Sequence, residues 1–305
     1  MTWLIFVAIA TILDSTRIFI DNYSSDVYFK GRNAVSQKLY YGYAFLICAL
    51  ILAIVTKFDF SPEYLQLYGF FIASGMLSGF AGIPYYKALE LDDSTNIGIF
   101  TQLAPVFYLI LGWFVLGETF SPIQLFAFAI ILTAPLLIVL TTKRRSRKIK
   151  IKAVIYALLY VIIAVIGNII FVKRNTADLN FLTEILFVFI GKGISDLVIV
   201  YTHPKWVHRF RSVARRNKTL FRPLIANSVV GFTKDILYRL GLTLAPTVAI
   251  ASAASDSAEP IVICFMGIVL TLVWPRFGRE KLDKKTVLVH IIAVILVVIG
   301  VILLQ

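Results

Sequence analysis

Asp256 and Glu259 stand three residues apart in the stretch AIASAASDSAEP, within a long apolar run and with no basic residue inside a helical turn. On a helix that spacing puts both carboxylates on one face. Two neighbouring acids in a low-dielectric interior resist ionising together. The pair is therefore expected to hold one proton at neutral pH and to release it when a cationic group arrives. The chemistry implied is reversible binding of protons and of amine-bearing or cationic solutes. The flanking alanines and serines either let helices approach closely or leave room for a solute.

Other ionisable residues also interrupt apolar runs. They are Asp14 and Arg17 with Asp21 a turn further, Lys192 and Asp196 four apart, and the adjacent Lys234 and Asp235. Each such group costs about 2.5–3.5 kcal/mol at the centre of a bilayer, so its presence needs a reason. Arg17 is placed to hold the charge of Asp14, and Lys234 that of Asp235. Lys192 and Asp196 are predicted as a pair that pins helices together. The alternative for Asp256 and Glu259 is permanent pairing with Lys234 or Arg17. Neutral groups able to hydrogen-bond a solute are Tyr85, Tyr86, Asn96, Gln102, Asn168, Asn227 and Tyr238. Glu118, at a Gly117-Glu118 turn, is expected to cap the following helix together with Ser121.

The histidines, His203, His208 and His290, lack the spacing of a metal motif, and Cys48 and Cys264 give neither a disulfide framework nor a metal site. No cofactor, metal or catalytic constellation is expected.

The elements that must position these groups are membrane helices. Hydrophobic residues make up 59% of the 305-residue chain, against about 45–50% in soluble domains. Ten apolar spans are predicted, at about 3–21, 39–56, 66–87, 95–116, 121–141, 152–172, 180–201, 221–240, 247–274 and 286–304. They are too long and too uniformly apolar for barrel strands. The first carries Asp14 and Arg17 with no preceding basic residue, so it reads as a membrane helix and not as a cleaved signal. The net charge of +13 sits in loops, which argues topology in place of nucleic-acid binding. Numbering the loops alternately puts 23 basic residues, Lys38 among them, on one side and 4, including Arg239, on the other. The positive-inside rule then places both termini outside the cytoplasm. Segment 203–222 is predicted as a surface helix on the anionic inner leaflet, with Trp206 and Phe210 dipping into the bilayer, or as a solvated loop.

Splitting at TTKRRSRKIKIK leaves five spans on each side. Five is odd, so two related halves in series must run oppositely across the membrane, as in secondary transporters. A faint internal copy supports this. Tyr238-Arg239 stands for Tyr86-Lys87, Glu259-Pro260 for Ala104-Pro105, and Gly278-Arg279-Glu280 for Gly117-Glu118. The fold class expected is an all-α membrane protein of ten transmembrane helices as two inverted five-helix repeats, 1–141 and 152–305, joined by a basic cytoplasmic linker at 142–151.

This pattern, with YYKALE, AP and LGE in the first half, resembles the EamA-type transporters of the drug/metabolite transporter superfamily. The resemblance implies export or exchange of small polar solutes such as amino acids, amines or drug-like molecules, with a cavity lined by helices one, three, four, six, eight and nine. Many such relatives carry basic residues before the first helix, which this chain lacks. The loop count therefore gives it the opposite orientation. The function expected is secondary transport across the plasma membrane by alternating access, with proton-coupled export as the specific form. A lipid flippase on the same fold is the first alternative. A membrane-embedded enzyme, which would need a phosphate-binding basic cluster beside its acids, is the second.

Overall fold

A computed structural model describes residues 2–29, 34–91, 100, 103–142, 150–174, 179–273 and 284–303, and the described residues contain helices and no strands. In chain order the helices are α1 (Thr2–Ser24), α2 (Lys38–Val55), α3 (Leu65–Leu91), α4 (Ala104–Leu111), α5 (Pro122–Thr142) and α6 (Ile151–Arg174). They continue with α7 (Phe181–Tyr201), α8 (Pro204–Arg216), α9 (Phe221–Leu244), α10 (Val248–Val273) and α11 (Lys284–Leu303). A π turn, Ser25–Phe29, prolongs α1, and a 3-10 turn, Ala34–Gln37, leads into α2. Apart from α8, each of these helices overlaps a predicted span, and α4 covers only part of the one predicted at 95–116.

Among the described residues, four stretches are long and apolar enough to cross a membrane: Thr2–Asp21, Val35–Val55, Pro62–Ala88 and Ile151–Arg174. A fifth candidate is α7 with α8, bent by 99° at their junction. Shorter apolar helices occupy Ala104–Leu116, Pro122–Thr133 and Ile291–Gly300. Backbone polar groups satisfied within each helix suit such segments to lipid.

Helix α3 lies along α6 and α7, α1 along α9 and α10, α2 along α7, α4 along α10, and α5 along α11. The α3–α7 crossing depends on glycine. A Cβ on Gly75 would lie 2.0 Å from the carbonyl oxygen of Val188, and one on Gly191 would lie 2.1 Å from that of Ile72. Close backbone approach through small residues is the usual way helices associate in lipid. Ser74 Oγ also donates to the carbonyl of Gly167 at 2.6 Å, tying α3 to α6.

Three expectations need correction. Segment 203–222 contains the expected helix, α8, in place of a loop, but Phe210 is buried against protein, in a cluster with Leu39, Val200, Val213 and Leu224, and Trp206 packs at its edge and stacks on His203. The apolar face of α8 is thus spent largely on the bundle and not on lipid. Lys38 and Arg239, counted as loop charges, are both buried. Removing them leaves 22 basic residues against 3, so the asymmetry persists.

Candidate functional site

Charged side chains from α1, α7 and α9 form a chain of alternating sign. Asp14 accepts from Arg17 Nε at 2.8 Å through Oδ1, and its Oδ2 lies 3.0 Å from Lys234 Nζ. Lys234 Nζ is 3.7 Å from Oδ1 of Asp235, whose Oδ2 takes Lys192. Lys192 also faces the Phe45 ring, 5.1 Å from its centroid, and Lys234 faces that of Tyr238 at 5.3 Å. The predicted Lys192–Asp196 pair does not form. Asp196 instead takes Lys38 from α2, because α7 presents the two residues to different neighbours.

Asp21, lower on α1, accepts from Tyr41 at 2.9 Å and from Asn227 Nδ2 at 2.8 Å. Arg239 is held by the Phe171 ring, 4.5 Å from its centroid, and by the hydroxyls of Ser74 and Ser78 at 3.4 and 3.5 Å.

The α10 acids differ from all of these. Among the described residues neither Asp256 nor Glu259 has an ion-pair partner. Asp256 accepts one hydrogen bond from Ser252 Oγ, a turn earlier, at 2.7 Å. Asp14 and Lys234 act electrostatically on both acids, and Arg17 on Glu259. Permanent pairing with Lys234 or Arg17 is thus absent here: Asp14 occupies both cations.

The aromatic candidates border the same region. Tyr85 lies 5.6 Å from Tyr86 and 5.0 Å from Tyr160 between ring centroids, and Glu259 acts electrostatically on both Tyr85 and Tyr160. Asn168 donates to Tyr108 at 2.6 Å, joining α6 to α4, and Tyr108 shares a buried cluster with Tyr238. Thr11 and Ser255 hydroxyls meet at 3.0 Å, fixing α1 to α10. Gln102 and Asn96 lie outside the described residues, as do Gly278-Arg279-Glu280. Asn227 is brought to Asp21 and not to the α10 acids. Sequence reading missed Tyr41, Tyr160 and Ser252 as neighbours of these charges. Lys38, one residue outside a predicted span, could have been found by asking where its charge would go.

Glu118 is also placed differently from expectation. A π turn, Gly112–Leu116, ends α4, and Gly117 adopts a left-handed φ of 73°, a conformation that favours glycine. The turn aims Glu118 across the bundle, where Oε1 accepts from the Val248 amide at 2.6 Å and caps α10. The start of α5 is capped by Ser121 and Gln124, whose backbone amides and side chains bond reciprocally at 2.9 and 3.3 Å.

No curated protein matches the chain. A solved crystal structure, described only as that of a protein, is similar over 99% of this chain and 96% of its own, with 12% identity and a TM-score of 0.68. At that identity the likeness establishes a shared fold and nothing about activity. Residues 29–140, which include the stretch carrying YYKALE, AP and LGE, match the EamA-like transporter family. The match covers 112 of the 305 residues and shows that this segment is similar to EamA-like transporters.

Proposed function

We propose that the chain is a secondary transporter of small amine-bearing or cationic metabolites, driven by proton exchange through Asp256 and Glu259. The fold on this reading is two inverted five-helix repeats, 1–141 and 152–305, with 142–151 as a cytoplasmic linker, in the plasma membrane with both termini outside. The helix neighbours support the repeat. Exchanging the halves pairs α1 with α6, α2 with α7, α3 with α9, α4 with α10 and α5 with α11. Under that exchange α3–α6 becomes α9–α1, and α1–α10 becomes α6–α4. The pairs α2–α7, α4–α10 and α5–α11 map onto themselves. Sites in such folds lie between the halves near the midplane.

The observation that carries the mechanism is a charge count. With the turns that prolong α1 and lead into α2 taken as parts of those helices, and leaving aside first and last turns (where the buried Glu184 of α7 lies), the shielded charges of the long helices among the described residues are six acids and five bases. The acids are Asp14, Asp21, Asp196, Asp235, Asp256 and Glu259; the bases are Arg17, Lys38, Lys192, Lys234 and Arg239. One proton on the α10 pair makes this interior neutral, and a monovalent cation in its place does the same. Proton and solute then compete for one negative charge, and alternating access couples their movements in opposite directions.

Proteoliposomes test this. An imposed pH gradient should drive uphill movement of an amine-bearing solute by the wild type. Glu259→Gln should retain exchange and lose the response to the gradient. A wild type that ignores the gradient, or a variant that keeps its coupling, makes the acids structural.

A further inference from the structure

Away from the charge network, a recess of about 540 Å³ opens where the start of α2, the end of α7, α8 and the start of α9 meet. Its volume lies within the range of about 300–1,000 Å³ usual for small-molecule sites. Its wall is apolar and aromatic, with Tyr40, Tyr43, Ile47 and Phe221 among the lining residues, and its polar groups include Arg211 and Arg215 of α8. The two arginines are four residues apart, one helical turn, and so share a face. Both are exposed, and among the described residues neither has an ion-pair partner. No acid lines the recess. At the mouth the hydroxyls of Tyr43 and Tyr201 hydrogen-bond at 2.7 Å, an arrangement suited to the headgroup level, where amphipathic rings collect.

The recess continues along one face of α2. Tyr43, Ile47, Leu50 and Ile54 are all exposed, by 47, 58, 62 and 69%. Eleven residues of helix rise about 16 Å, close to half of a hydrocarbon core about 30 Å thick. An apolar track one leaflet deep therefore ends at two unpaired cations, and α8, turned 99° from α7, lies across that end. A free anion would leave the track unused, and a neutral lipid would leave the arginines without a counter-charge.

We propose that this recess binds one anionic phospholipid, its phosphate between Arg211 and Arg215 and an acyl chain along the Tyr43–Ile54 face of α2. Basic pockets between membrane helices on the cytoplasmic side bind anionic headgroups by this chemistry. The site depends on the chain lying in a membrane and is independent of what it transports.

The test is native mass spectrometry and thermal melting of the purified full chain in neutral detergent. The probes are phosphatidylglycerol, phosphatidylcholine and glycerol phosphate. Phosphatidylglycerol is expected to bind with one-to-one stoichiometry and to raise the melting midpoint, while phosphatidylcholine and glycerol phosphate do neither. Arg211→Gln/Arg215→Gln should lose about thirtyfold of the preference for phosphatidylglycerol. Lys205→Gln/Arg216→Gln, on the same helix but outside the recess, should leave it within about threefold. Ala44→Trp, which fills the recess, should weaken lipid binding with both arginines in place. Equal binding of the two lipids overturns the site, as does equal loss in both double variants, which would mean diffuse attraction to α8. Stabilisation by glycerol phosphate alone would make it a plain anion site and also overturn the proposal.

Discussion

Lys234 Nζ lies 3.0 Å from one carboxylate oxygen of Asp14, and Arg17 Nε lies 2.8 Å from the other. One acid on α1 thus holds two cations, one of them from α9. Replacing it leaves two like charges side by side in the bundle. Breaking a buried pair costs about 3–5 kcal/mol, and the lower figure applies because the Arg17 side chain is 38% exposed. Asp14→Asn should lower the thermal midpoint of the purified protein, and Asp14→Asn/Lys234→Met should recover part of the loss. If single and double variants melt alike, the two side chains are not coupled.

The α3–α7 crossing makes a sharper mechanical prediction. At Gly191 a methyl group would collide with the Ile72 carbonyl, while at Gly69 it would meet nothing within 4 Å. Gly191→Ala is expected to destabilise by at least the 1–3 kcal/mol typical of overpacking. Gly69→Ala should stabilise by roughly 0.5–1 kcal/mol through helix propensity. Opposite signs in matched melting curves are the expected result.

Glu118 gives a pH dependence outside the spanning segments. Burial raises its carboxyl above the ordinary value of 4.5, against the pull of the Val248 and Ala249 amides. The folded chain therefore holds this proton more tightly than the unfolded chain does. The resulting stabilisation is fully present below pH 4.5 and is lost as pH rises through the raised folded value. Glu118→Gln keeps an oxygen for the Val248 amide and should flatten this part of the stability curve. An unchanged slope would assign the dependence to other groups.

Sidedness can be read by cysteine labelling in a background lacking Cys48 and Cys264. A cysteine at Thr2 should react with an impermeant reagent in intact cells, and one at Lys205 only after permeabilisation. The reverse pattern would give the chain the orientation that the resemblance to EamA-type transporters implies.

The apolar helices and the Asp14–Arg17 contact were legible because both follow from helical geometry within one segment. The isolation of Asp256 and Glu259 was half legible: the sequence shows no base within a turn, but the occupation of Lys234 and Arg17 by Asp14 needs three dimensions. Lys192 and Asp196 show why the rest was hidden. Their spacing permits a pair, yet the rotation of α7 gives Asp235 to one and Lys38 to the other, and that rotation is set by lateral packing. The Glu118 cap crosses 130 positions of sequence and depends on the turn at Gly117, so local capping rules pointed to the nearer helix.

The count of six acids against five bases within the long helices, among the described residues, has an electrical consequence. A charge moved across the whole membrane potential is worth about 2.3 kcal/mol per 100 mV. Carrying one proton or one monovalent cation, the proposed carrier has a neutral interior, so its reorientation does no work against the field. Emptied of both, it would carry one net negative charge through the voltage drop. Loaded exchange should therefore proceed at the same rate in polarised and depolarised vesicles, and the return of an empty carrier should not.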